Sequence, residues 1–117
     1  MQYLLMCCID EAHWNGLPAR ERDRVMQQYG VWIKDIRDSG HHLNTGKLRP
    51  SASAKTIREK GGAVVFTDGP FAETKEQLGG YHLVECRDMD EALAIARCIP
   101  TLPVGGMIEV RQLEPAL

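Results

Sequence analysis

The sequence predicts an α+β protein on the ferredoxin-like βαββαβ plan, with a β-hairpin inserted between the second and third strands. Three observations carry that expectation. An apolar run of strand length opens the chain at Tyr3–Ile9. Apolar residues recur at helical spacing after Ala19 and again after Met89. Short strand-like stretches, separated by glycine and proline turn formers, fill the rest.

Taken in order, Tyr3–Ile9 is apolar on both alternating faces, which predicts a central strand covered on both sides. "DEAHWNGLP" breaks it with Asp10, Asn15, Gly16 and Pro18, and reads as a connector with one helical turn. From Ala19 to Ser39, residues Val25, Tyr29, Trp32, Ile33 and Ile36 share one helical face, with Pro18 at its start and Gly40 at its stop. "HHLNTGKLRP" is a short extended segment. Lys55–Glu59 and Ala63–Thr67 form the hairpin around Lys60-Gly61-Gly62. Gly80–Arg87 is the next strand, with Tyr81, Leu83 and Glu85 on one face and His82, Val84 and Cys86 on the other. Asp88 and Glu91 make a capping-box pattern for a second helix that Pro100 stops, and Gly105–Leu113 is the last strand.

Two helices cover only one face of a four-stranded sheet. The two-sided apolarity of the first strand therefore asks for a second cover, and a second copy of the chain, sheet against sheet, supplies it as a dimeric α+β barrel. The length of 117 residues suits a single domain spanning 1–117. A hydrophobic content of 44% with 26% charged residues is that of an ordinary soluble protein, and a net charge of −2 offers no field for nucleic acid or anionic lipid. The opening apolar run is too short for a membrane span and lacks a basic flank, so the expected compartment is the cytoplasm.

The chemistry-bearing residues give no metal or cofactor pattern. Cys7, Cys8, Cys86 and Cys98 show no C-x-x-C spacing, and Cys7 and Cys8 point to opposite faces of a strand. His41 and His42 diverge in the same way, and His13 and His82 add no chelating spacing, so neither a metal nor a cofactor is expected. Asp68, before Gly69-Pro70, is either a turn former or a general base whose pKa burial would raise. Tyr29, on the apolar helix face, is either a hydrogen-bonded core tyrosine or a proton donor to a substrate. Thr74 and Gln77 fit a capping box on a short helical turn, while Glu73 and Lys75 offer charge to a polar ligand. His82, directly after this region, is a further ligand-binding candidate.

The nine residues Asp68-Gly69-Pro70-Phe71-Ala72-Glu73-Thr74-Lys75-Glu76 resemble the YCII-related proteins, in the branch named for its DGPFAETKE motif. The resemblance extends through "MQYLLM", "EAHW", "YGVWIKDIRDSG", "LRPSASAKTIR" and "GMIEVRQL". It implies a dimeric α+β barrel of ferredoxin-like subunits. It also implies a cleft in which relatives are proposed to use a His–Asp pair. Tyr29 stands here at the place of that histidine, and Asp68 is the candidate aspartate. Some members of the branch look linked to extracytoplasmic-function sigma factors. Two functions therefore stand side by side. One is a cofactor-free acid–base enzyme or small-molecule binder with Asp68 and Tyr29 at its cleft. The other is a non-enzymatic regulatory partner.

Overall fold

The structure is a computed structural model that describes residues 1–72 and 74–115. The opening apolar run forms β1 (Gln2–Asp10), which lies between two antiparallel neighbours because both of its faces are apolar. Asp10 ends the strand and caps α1 (Glu11–Gly16), its Oδ1 accepting from the backbone N–H groups of Ala12 at 3.0 Å and His13 at 3.3 Å. The connector is thus a short capped helix, longer than the single turn expected. The long helix α2 (Ala19–Asp38) follows, then β2 (His42–Lys47). The hairpin comprises β3 (Lys55–Lys60) and β4 (Ala63–Asp68), and after it come β5 (Glu76–Glu85), α3 (Met89–Ala96) and β6 (Met107–Gln112).

The main sheet has the order β2-β5-β1-β6 with every pairing antiparallel. This mixed α+β topology is consistent with the ferredoxin-like plan. β3 and β4 make a separate two-stranded arm, whose loop Gly61-Gly62 has φ of 59° and 81°. Both values need the left-handed region that a two-residue hairpin turn demands.

Strand alternation and helix periodicity meet on one sheet face. Tyr3 and Leu5 of β1, and Val84 and Cys86 around the end of β5, pack against Trp32 and Ile36 of α2 and Ala92 and Ala96 of α3. The Trp32 indole N–H donates to the Ile95 carbonyl at 3.0 Å, tying the two helices together over the sheet. Asp88 caps α3 as expected, with Oδ1 accepting from Glu91 N–H at 2.9 Å. The Glu91 carboxylate accepts from the backbone N–H of Arg87 at 3.1 Å, one residue before the cap. That bond, the Arg87 guanidinium and His41 hold the Glu91 carboxyl below the usual carboxylate range, against a smaller opposing effect of burial.

Two local expectations are corrected. β5 begins at Glu76 rather than Gly80, so Gly79 and Gly80 lie inside a strand instead of leading into it. The register slips there, with Cys7 opposite Gly80 and Cys8 opposite Leu78. A Cβ on Gly80 would sit 2.9 Å from the Gly46 carbonyl oxygen, so close strand approach explains that glycine. The helical turn expected at Thr74–Gln77 is absent because the strand has already started. Thr74 Oγ1 donates instead to the Glu76 carbonyl at 2.8 Å. The Gln77 amide donates to the carbonyls of Ala72 and Thr74 at 3.0 and 2.7 Å, which fastens the motif loop to the strand.

The helix-covered core gives a direct stability test. Leu5 is fully buried at the sheet centre, and Leu5→Ala is expected to cost about 2–5 kcal/mol in urea unfolding, from lost burial plus the cavity left behind.

Candidate functional site

The helix-covered face of the sheet is apolar except at one place. His82, in the middle of β5, is 3% exposed and is the buried polar side chain among the described residues. Strand alternation turns it inward between Val84 and the strand's start, and α2 lies across it. A buried imidazole must find partners or cost about 1–3 kcal/mol per unsatisfied group, and here both ring nitrogens are engaged. Nε2 is 2.5 Å from the Tyr29 hydroxyl, and Nδ1 is 2.9 Å from Thr45 Oγ1.

The contacts extend on either side. Beyond Tyr29 lies the Cys7 thiol of β1 at 3.5 Å, and beyond Thr45 lies His42 Nε2 at 2.7 Å. The result is one continuous chain, Cys7–Tyr29–His82–Thr45–His42, running from β1 through α2 and β5 to β2. Its middle is buried, while Cys7, Tyr29, Thr45 and His42 are half-buried. The Trp32 ring meets His82 edge-on at a centroid distance of 4.8 Å and Tyr29 at 5.7 Å, which fixes both rings in place.

The electrostatics follow from burial. Desolvation, with a smaller repulsion from His42, lowers the pKa of His82 from 6.5 to about 4, so its ring is neutral at physiological pH. Burial also pushes the Tyr29 hydroxyl well above its ordinary value, helped by Cys7. The Cys7 thiol is raised by burial as well, partly offset by its contact with Tyr29. Cys7, Tyr29 and His82 are therefore all uncharged at neutral pH, the thiol and the phenol keeping their protons. A neutral imidazole on a tyrosine hydroxyl is chemically an acid–base pair, able to accept at one nitrogen while donating at the other.

Of the residues singled out from sequence, the structure joins Tyr29 and His82 directly. Asp68 lies elsewhere, at the end of β4 on the arm, where its exposed carboxylate is ion-paired with Lys55 directly across the hairpin. Its recorded partner is Lys55, whereas those of Tyr29 are Cys7 and His82. Lys75 is exposed just before β5, and Glu73 lies outside the described residues. The Gly69 and Arg58 contacts make the first half of the motif an anchor for the arm. Gly69 N–H donates to the Ala54 carbonyl at 2.8 Å, Thr56 Oγ1 to the Gly69 carbonyl at 2.8 Å, and Arg58 to the Phe71 carbonyl at 3.1 Å. No group of His, Cys, Asp and Glu side chains among the described residues converges as a metal cluster.

Sequence reasoning missed Cys7, Thr45 and His42 as members of the chain. Cys7 was within reach, since strand parity places it with Tyr3 and Leu5 beneath the helices. His42 and Thr45 were not, because an odd separation puts them on opposite faces of a regular strand. A register shift between His42 and Asn44 brings them together, with His42 opposite Val84 and Thr45 opposite His82. Open cavities lie elsewhere: a groove of about 410 Å³ between α3 and β6, lined by Asp90, Leu93, Arg97 and Ile108, and another of about 360 Å³ beside Val31 and Pro100. The geometry and chemistry of the buried chain mark it, rather than these shallow apolar grooves, as the candidate site.

The depressed His82 pKa makes a pH prediction. The unfolded state binds a proton near pH 6.5 that the folded state refuses until about pH 4. Stability from this group is thus fully present above pH 6.5, falls as pH drops toward 4, and then levels off, a loss on the order of 3 kcal/mol. Glu91, also depressed, adds its own loss at more acid pH. Urea unfolding of wild type and His82→Gln across pH 4–7 isolates the histidine, and the variant is expected to show the shallower slope between pH 6.5 and 4.

Comparison with known proteins adds kinship. A relative from Rhizobium meliloti (strain 1021), "Uncharacterized protein R00369", is 37% identical over 114 residues, covering 97% of this chain and 92% of its own length. The YCII-related domain family matches residues 1–116, and the chain belongs to that family.

Proposed function

We propose that this protein is a cytoplasmic homodimer of the DGPFAETKE branch. In this proposal the Tyr29–His82 pair carries out cofactor-free acid–base chemistry on a small polar or aromatic molecule. The observation that carries the reading is the 2.5 Å contact between the Tyr29 hydroxyl and His82 Nε2 in an otherwise apolar core. Tyr29 occupies the place that the family resemblance gives to a catalytic histidine, and His82 returns an imidazole to the same spot from a neighbouring strand. Tyr29 is the half-buried member of the pair and so the one that meets a ligand, with His82 behind it as the proton acceptor. Asp68 and Lys75 bracket the loop that leads into β5. In this reading exposed Lys75 supplies charge that recognises the ligand, while Asp68, ion-paired with Lys55, fastens the arm and takes no part in the proton transfer.

The dimer follows from the uncovered side of the sheet. Leu4, Met6, Tyr81 and Leu83 lie opposite the helices on the two central strands, with Met107 exposed at the β6 edge. Tyr81 packs against Gly46, where any Cβ would collide with its ring. The chain is also thin and extended, 18 Å in its shortest dimension with a radius of gyration of 16.2 Å. A compact domain of this length has about 13 Å. Sheet-to-sheet packing of two copies restores ordinary thickness, as the ferredoxin-like barrel requires.

A second reading, a regulatory partner linked to an extracytoplasmic-function sigma factor, is favoured by one observation. The arm exposes Ile57, Val64 and Phe66 on one face, followed by Phe71 in the motif. Contiguous exposed apolar side chains commonly mark a protein-binding surface.

Thermal-shift measurement against a panel of small polar and aromatic metabolites tests the first reading. A ligand present at 100 times its Kd stabilises by about 2.7 kcal/mol, a rise of several degrees in Tm for a chain of this size. The rise is expected in wild type and lost in Tyr29→Phe and His82→Gln. Equal shifts in all three proteins would contradict it. A sigma factor retained by wild type and released by Phe66→Ser, with no ligand found, would favour the second reading. For the dimer, light scattering is expected to give twice the chain mass for wild type and a mass near one chain for Met6→Lys.

A further inference from the structure

We propose that Thr45 and His42 complete a proton relay with Tyr29 and His82, through which a proton taken up at the Tyr29 hydroxyl leaves at half-buried His42 while buried His82 stays uncharged. This inference rests on the acid–base reading of Tyr29 and His82 given above. It answers a difficulty in that reading. An imidazole held neutral down to about pH 4 is a weak base when it acts alone.

The geometry removes the difficulty. His82 is contacted at both nitrogens by hydroxyls, at 2.5 Å from Tyr29 and 2.9 Å from Thr45, and Thr45 is 2.7 Å from His42 Nε2. Such a chain has two self-consistent polarities. In the first, Tyr29 O–H donates to His82 Nε2, His82 Nδ1–H donates to Thr45, and Thr45 O–H donates to His42 Nε2. In the second, every one of these bonds is reversed: His42 Nε2–H donates to Thr45, Thr45 to His82 Nδ1, and His82 Nε2–H to the Tyr29 oxygen. The Tyr29 O–H is then free to turn toward Cys7 Sγ, 3.5 Å away.

Switching from the first polarity to the second takes one proton in at Tyr29 and delivers one to His42. The substrate gives a proton to the Tyr29 oxygen and keeps its bonding pair. The former Tyr29 proton passes to His82 Nε2, the Nδ1 proton passes to Thr45, and the Thr45 proton passes to His42 Nε2. The substrate ends as the anion and His42 as the imidazolium, which sheds its Nδ1 proton to water. His82 gains one proton as it loses another. The titratable groups that face it are Tyr29 from α2, Cys7 from β1 behind Tyr29, and His42 from β2. His41 is turned away, to Ser39 and Glu91.

Protonated His42 has no lone pair on Nε2, so it can only donate to Thr45. That leaves the Thr45 O–H free to donate to His82 Nδ1, so a chain that acts as a relay adopts the second polarity and with it the Nε2–H tautomer of His82. Long-range ¹⁵N–¹H imidazole spectra of the whole protein, recorded through the titration of His42, read this directly. The expected result is that His82 settles in the Nε2–H tautomer as His42 becomes charged. Thr45→Ser is expected to keep that response and Thr45→Val to abolish it. A His82 tautomer indifferent to His42 protonation in wild type overturns the relay, whether or not the valine variant folds. A response in Thr45→Val equal to that of wild type overturns it also. The read-out needs no ligand, so its failure is distinct from a blank metabolite panel, which counts against the substrate reading instead.

Discussion

The hydrogen bond between Tyr29 and His82 is the constraint around which the rest of the molecule is arranged. Burying an imidazole at the centre of a sheet is tolerable only if both nitrogens are satisfied. Satisfying them requires α2 to cross β5 at one height and β2 to pair with β5 in one register. Trp32, one turn along from Tyr29, then fills the space beside the ring and reaches α3 through Ile95. The two helices and three of the four strands are thus held in relation by a polar cluster of a few side chains, inside a core that is otherwise interchangeable hydrocarbon. Apolar packing supplies most of the stability in such a core, while the polar cluster specifies the alignment of its parts.

The order of the main strands and helices, the shared face of His82, Val84 and Cys86, and the apolar side of α2 were legible in the sequence because each depends on a local period. Tyr3 and Leu5, Val25 and Trp32, and His82 and Val84 all lie where alternation or helical spacing puts them. The motif region was less legible. Its Thr74–Gln77 spacing matches a helix cap, but strand pairing between Glu76 and Asp10 takes precedence over that local preference. The His42–Thr45 half of the site was hidden for a different reason. A register shift in an edge strand is set by tertiary pairing and leaves no mark in a periodicity count.

The DGPFAETKE motif looks different once its contacts are known. Its described backbone groups serve the hairpin arm and the start of β5: Gly69 to Ala54, Phe71 to Arg58, Ala72 and Thr74 to Gln77. Asp68 faces solvent beside Lys55. The most recognisable stretch of the chain is therefore built to hold an arm in place. The candidate chemistry sits in residues that no motif announces, spread over four elements and brought together by folding.

The central claim is that Tyr29 and His82 share a buried, persistent hydrogen bond between neutral groups. Proton NMR of the folded protein at neutral pH measures it most directly, through the Tyr29 hydroxyl proton. The account predicts a slowly exchanging downfield resonance that couples through space to the His82 ring and vanishes in Tyr29→Phe. A hydroxyl proton that exchanges with water as fast as that of a free tyrosine, or a His82 ring already charged at neutral pH, would contradict it.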